Sequence, residues 1–417
     1  NEERAAEKET RAREVAARGP TVLLQMVARR GDRLSLSSNT DTTRDLLERL
    51  EADGLPRPYC VAVVHPALPF LGHDAEVDEG FFDAVVDEPA NTHALFALPR
   101  EPVVLAEHAL GLHASALVRD GGTLQIGIGA LSDALVHGLL LRHRHNDRWR
   151  DALARLRGGP APPIVARIGG EDAFARGLYG ASEMVMDGFM HLRRAGILKR
   201  QVFDDLALQR LLNAGAIGEV ADAGTLDRLL EADVVSAALD RPSLEWLQRF
   251  GLLDADAVLH EGTLRLPDGT VVGADLLDRG QRALQAARNA RPRQRGGRYL
   301  HGAFWLGSKL LQDWLRDLSG DDWDGLCMTR VSWINELYGG REPLDVAQRH
   351  AARFFNTCMM HTLLGAAVSD GLADGQLVSG VGGQYNFVAM AHEVPSGRSV
   401  LMLRATRESG GEVRSSI

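Results

Sequence analysis

Two glycine clusters are the parts of this 417-residue chain best suited to chemistry. The first is Gly380, Gly382 and Gly383, followed by Gln384, within the segment SGVGGQYNF. Glycines at this density let the main chain come close to a ligand and turn N–H groups toward a developing oxyanion, with the Gln384 amide as an added donor. The same residues equally suit a glycine-rich turn before a strand. The second cluster, Gly127-Ile128-Gly129, follows an apolar run and precedes a helix-like stretch. Free N–H groups and a helix dipole could hold an anion there, and a bare strand-to-helix turn is the plain alternative. A nicotinamide fingerprint is excluded, because its third glycine is Ser132 and no strand-end acid follows at the proper place.

Metal chemistry is not expected. His108 and His113 lack a third ligand at metal spacing, and His143 and His145 lie on a polar stretch. Cys60, Cys327 and Cys358 are far apart and form no CxxC pair, which argues against a zinc knuckle or a disulfide framework and for a reducing compartment.

The elements that must position these residues alternate along the chain. YCVAVVH reads as a buried strand, and GDRLSLSS before NTDTTRDLLERL reads as a short strand, a turn with Asn39, Thr40 and Asp41 as cap candidates, and an amphipathic helix. GGTLQIGIGALSDALVHGLL repeats that grammar. Strands alternating with helices indicate an α/β fold with a largely parallel sheet. No repeat of a period short enough for a solenoid stands out. A net charge of −9 argues against a nucleic-acid partner, since phosphate-binding domains carry a basic excess. With no apolar run of about 18 residues and no signal-peptide pattern, the chain reads as soluble and cytoplasmic, without a membrane partner. It begins without methionine and ends shortly after a β-like run, as a piece of a longer chain would.

Jointly, three blocks resemble the acetyl-CoA hydrolase/CoA-transferase family. They are LQIGIGALSDALV, the SEM-x-x-DG segment from Ser182 to Gly188, and the GxGGQ loop from Gly380 to Gln384, with RATRESGGEVRSSI similar to the ending of the family's core. The resemblance covers roughly residues 20–230 and 340–417. It implies a fold of two related open-sheet α/β domains of the CoA-transferase type. The expected division is a charged helix over 1–20, an N-terminal domain over 21–235, a helical connection and basic linker over 236–298, and a truncated C-terminal domain over 299–417. Residues 299–340, with Trp305, Trp314, Trp323 and Trp333, are expected to form a helical insertion used as core, subunit contact or lid. Arginines 288, 291, 293, 295 and 298 read as solvated linker charge, with CoA phosphates as the sharper alternative.

The resemblance also implies that coenzyme A is substrate or product, that no cofactor is held permanently, and that the partners are an acyl-CoA and a small carboxylate acceptor. A homo-oligomer is expected. In the family a glutamate attacks the thioester, about twenty residues before the glycine loop. Asn356 and Gly365 keep their places in that segment, but the glutamate falls on Met360. A thioether cannot form an acyl anhydride, so ping-pong transfer through position 360 is excluded. Hydrolysis asks only for an oxyanion hole and a base that positions water. Candidate bases are His361, beside the vacated position, Glu183, which would share a helix face with Asp187 were that segment helical, and Glu336 in WINELYGG. Each has a structural alternative as a packed or solvated side chain. In this reading Gly380, Gly382, Gly383 and Gln384 form the oxyanion and CoA site with Gly127, Gly129 and Asn356. The function is thioester hydrolysis or an unusual CoA transfer; the alternative is a catalytically silent CoA-binding or assembly subunit.

Overall fold

The computed structural model describes residues 13–417 apart from 89–92, 223, 279–293, 339, 373–374, 378, 380–381 and 410. The chain divides into two compact units, one of Asn1–Arg200, Tyr299–Glu342 and Arg349–Ile417, the other of Gln201–Arg298 and Pro343–Gln348.

The first unit opens with a five-stranded sheet built from β1 (Val22–Arg30), β2 (Arg33–Ser35), β3 (Tyr59–Val64), β4 (Glu76–Asp78) and β5 (Ala84–Val86), in the order β4-β2-β1-β3-β5. Alternation along β1 and β3 buries Val27, Cys60 and Ala62 with Leu34, and Leu47 of the helix Thr40–Ala52 packs onto them. Asn39 precedes that helix as expected, though its side chain makes no capping bond.

Next come β6 (Thr123–Ile126) and β7 (Tyr179–Val185), which begin a second sheet. The chain then supplies the second unit, including β8 (Val258–His260), β9 (Thr263–Arg265) and β10 (Val271–Gly273), a small antiparallel sheet. It resumes the second sheet with β11 (Leu300–Trp305), β12 (Leu326–Met328) and β13 (Arg353–Thr357). After a hairpin of β14 (Met360–His361) and β15 (Ala367–Val368), β16 (Arg398–Met402) ends that sheet, and β17 (Thr406–Ser409) and β18 (Glu412–Ser415) form a last hairpin. The six strands run in the order β12-β11-β7-β6-β13-β16, every pair parallel. Their residues are mostly buried, as a parallel sheet covered on both faces requires.

The connections fix which face each helix covers. From β6 the chain turns at Gly129, whose φ of 113° suits glycine, into the helix Ala130–Arg144, which carries Asp133 in its first turn and Arg142, His143 and Arg144 in its last. Ile126 and Val136 meet near Gly188 on that face. The opposite face takes the helix Val331–Asn335, packed on β7 and β11, and the helix Gln384–Glu393, packed on β13 and β16.

The α/β class holds. The expected partition of the chain does not, for two reasons. β11 and β12, inside the tryptophan-rich stretch, are sheet strands, so residues 299–340 are no insertion. Moreover, β13 and β16 pair into the sheet that β6 and β7 began, and so do not found a separate C-terminal domain. What stands apart is 201–298 with 343–348, and the expected boundary at 235 falls within it. The tryptophans are spread through the first unit: Trp305 Nε1 donates to Ser37 Oγ at 3.1 Å, Trp323 stacks on Phe70, Trp333 stacks on His301, and Trp314 is buried. Of the linker arginines, 288, 291 and 293 lie outside the described residues, while Arg298 pairs its backbone with Val202. The expected N-terminal helix is described only from residue 13, with helix over 13–17.

The second unit has a short periodicity that the sequence reading missed. The helices Leu206–Asn213, Thr225–Glu231 and Arg241–Arg249 each end at a left-handed residue, Gly215, Asp233 and Gly251, eighteen positions apart. After each, an apolar residue's N–H returns to a helix carbonyl: Ala216 to Leu211, Val234 to Leu229, Leu252 to Leu247. Asp205 and Asp240 cap the first and third.

Candidate active site

In the six-stranded sheet, chain order runs one way from β6 to β7, β11 and β12, and the other way to β13 and β16. The reversal lies between β6 and β13, where the chain leaves toward opposite faces. Open α/β sheets bind ligands in the crevice outside the strand carboxyl ends at such a point. Gly127 and Gly129 follow β6 there, and Asn356 lies one residue beyond the paired Phe355 and Ile126.

Strand register shows which side chains share this place. Phe354 pairs with Gln125, so Gln125 and Asn356 face the same side, and the alternation that starts at the Thr123–Tyr179 pair puts Glu183 on that side too. Gln125 Nε2 donates to Asn356 Oδ1 at 3.4 Å, and Ser182 Oγ donates to the Ile126 carbonyl at 3.1 Å. Glu183, half-buried, accepts from Asn335 Nδ2 at 3.0 Å. A β-carbon at Gly383 would stand 2.1 Å from Glu183 Oε2 and 2.9 Å from Asn335 Nδ2, so the glycine loop touches the carboxylate directly.

Gly383 is the residue before the helix Gln384–Glu393, and the Phe387 N–H bonds back to its carbonyl at 3.1 Å. From Gly383 onward this segment therefore leads into a helix, not into a strand. The N–H groups of that helix's first turn have no partner within the helix and carry the positive end of its dipole. Gly382 is exposed, Gly383 buried, and Gly380 lies outside the described residues. The Phe354 and Phe387 rings, 5.6 Å apart, hold this helix start over β13.

The other nominated residues fall elsewhere. The SEM segment is strand β7, not helix, so Glu183 and Asp187 share no helix face. Asp187 instead accepts from the Ser308 N–H at 3.0 Å and from the Ser308 hydroxyl, and pairs with Arg100 at 2.6 Å. Burial alone would raise its pKa, but these Ser308 and Arg100 contacts outweigh it and hold the carboxyl below its ordinary value. Met360 and His361 form β14, where the His361 N–H donates to the Ser416 carbonyl. Glu336 follows the helix Val331–Asn335; the neighbour that sequence reasoning passed over, Asn335, is the residue on the Glu183 carboxylate. Gln125 was missed as well. A polar residue inside a wholly buried strand was the available signal.

At the start of β13, Arg353 ties the sheet to its surroundings. It donates to the carbonyls of Leu117, Ala352 and Ser396 at 2.9, 2.7 and 2.9 Å, and also to those of Ala351 and Ile168. Burial, with Arg398 and Arg119 nearby, lowers its pKa to about 10.

Among the described residues no three His, Cys, Asp or Glu side chains gather as a metal site, and no helix is long and apolar enough to cross a membrane.

Comparison with known proteins agrees with this architecture. Residues 307–417 match the family described as acetyl-CoA hydrolase/transferase C-terminal domain. RipA from Yersinia pestis superposes with a TM-score of 0.55 at 17% identity, over 98% of this chain and 60% of that one. A 4-hydroxybutyrate CoA-transferase from Porphyromonas gingivalis gives 0.52 at 16% identity, over 98% and 64%. The chain thus spans less than two thirds of the length of these solved chains. No curated protein matches it. The fold is that of the CoA-transferase type, and residues 307–417 are similar to the acetyl-CoA hydrolase/transferase C-terminal domain.

Proposed function

We propose that this protein binds an acyl-CoA at the carboxyl ends of β6, β7 and β13 and hydrolyses the thioester, with Glu183 as the base. The observation that carries this reading is the contact of the Glu183 carboxylate with Gly383 at the start of a helix, which puts a proton acceptor beside N–H donors suited to an oxyanion. Met360 stands where the resemblance expects the nucleophilic glutamate, so water takes the nucleophile's part.

The step balances. One proton of the water passes to Glu183 as the water oxygen bonds to the carbonyl carbon. The N–H groups of Gly383 and the first helical turn stabilise the oxyanion. Collapse breaks the C–S bond, the proton held by Glu183 goes to the CoA sulfur, and a carboxylic acid and free CoA leave.

Incubating the purified protein with a panel of acyl-CoAs and following free thiol tests this. Release above background that drops roughly a hundredfold on Glu183→Gln supports it. An equal drop on His361→Ala with none on Glu183→Gln would move the base to His361. Saturable CoA binding without thiol release would make the chain a silent CoA-binding subunit instead. If neither CoA nor any acyl-CoA binds, both readings fail.

A further inference from the structure

Between β6 and β13, two carboxamides stand side by side but make only half of the reciprocal pair available to them. Gln125 Nε2 donates to Asn356 Oδ1, while Gln125 Oε1 and Asn356 Nδ2 have no partner among the described residues. Both residues are more than nine-tenths buried, at 3% and 7% exposure. Buried polar atoms are seldom left unpaired, so an acceptor and a donor next to each other call for a group that gives one hydrogen bond and takes one. A water molecule does both.

The place matters as much as the chemistry. The pair sits at the reversal of strand order, on the same face of the sheet as Glu183, and Gly127, next along β6, presents no side chain. A β-carbon at Gly127 would meet nothing within 4 Å among the described residues, so the strand end beside the pair is open to them. On the Glu183 side, Asn335 Oδ1 is a second buried acceptor without a partner among the described residues.

We infer that Gln125 and Asn356 seat the nucleophilic water of the hydrolase, with Gln125 Oε1 accepting one of its protons and Asn356 Nδ2 donating to its oxygen. A lone pair is then left for the thioester carbon and the second proton for Glu183. The assignment rests on the hydrolase reading and adds to it the two residues that hold the reactant.

Two measurements test it. A high-resolution crystal structure of the unliganded wild-type protein is expected to show one ordered water within hydrogen-bond distance of both Gln125 Oε1 and Asn356 Nδ2. Direct contact of those two atoms, or an empty gap, overturns the assignment whatever the activity. In kinetics, Gln125→Met and Asn356→Leu are expected to lower kcat for hydrolysis roughly a hundredfold while KM for the acyl-CoA stays within about threefold. Acyl transfer to added hydroxylamine, which brings its own nucleophile, should fall far less. Equal loss of hydrolysis and hydroxylamine transfer in variants that still bind CoA overturns the water's role. A wild type that releases no thiol removes the hydrolase reading and the nucleophilic role with it, while water density at the pair would still establish the binding site.

Discussion

Glu183 and Gly383 are in direct contact: the carboxylate on the central strand β7 occupies the space that any side chain at 383 would need. The base candidate and the loop that would bind the oxyanion are thus coupled by packing, and a change at one must move the other.

Gly383→Ala is therefore expected to displace the Glu183 carboxylate. Thiol release should fall roughly a hundredfold, as for loss of an oxyanion donor. Global stability should fall by only about 1–2 kcal/mol, because the carboxylate tip can shift. Kinetics beside urea denaturation separate the two, and an unchanged rate would contradict the contact.

Asp187 gives a pH signature. Its folded-state pKa lies below the ordinary carboxylate value of about 3.9, so its contribution is complete above roughly pH 5 and disappears as pH falls through the folded value. Asp187→Asn should cost about 2 kcal/mol at pH 7 by weakening the Ser308 and Arg100 contacts, and much less near pH 3. Denaturation midpoints of both proteins at the two pH values check this.

Arg353 is bonded to five backbone carbonyls with its charge buried. Arg353→Met should destabilise the first unit by about 3 kcal/mol or more, since the carbonyls lose their donors together. Arg353→Lys should recover only part, because an ammonium cannot reproduce the planar fork. Thermal unfolding of the three proteins is the measurement.

Trp305 joins β11 to the segment after β2 through its bond to Ser37, while Ser38 Oγ bonds the Trp305 carbonyl at 2.8 Å. Trp305→Phe keeps much of the apolar area and removes the first bond, and should cost about 1 kcal/mol in urea denaturation.

Several features were legible before the fold was known. The GIG turn between a strand and a helix is one, and the α/β alternation of strands and helices is another. Others were misread for an identifiable reason. Short apolar runs such as those of residues 179–185 and 300–305 show neither helical nor strand period clearly. The SEM segment could thus be taken as helical, and the tryptophan-rich stretch as an insertion. The eighteen-residue periodicity of the second unit escaped because its helices share backbone turns more than residue identities.

The sequence by itself determined the local events: the strand-to-helix turns and the glycines that permit close approach. These depend on neighbours a few positions apart and on residue chemistry. Only the tertiary structure decided that β7 would pair with β6 and β11, that β13 would lie on β6's other side, and that Glu183 would meet Gly383 and Asn335. Parallel strands exchange hydrogen bonds with partners far away in the chain, and any buried apolar strand satisfies another's backbone almost equally well. Which one does so is set by packing of the whole sheet and its two helical faces.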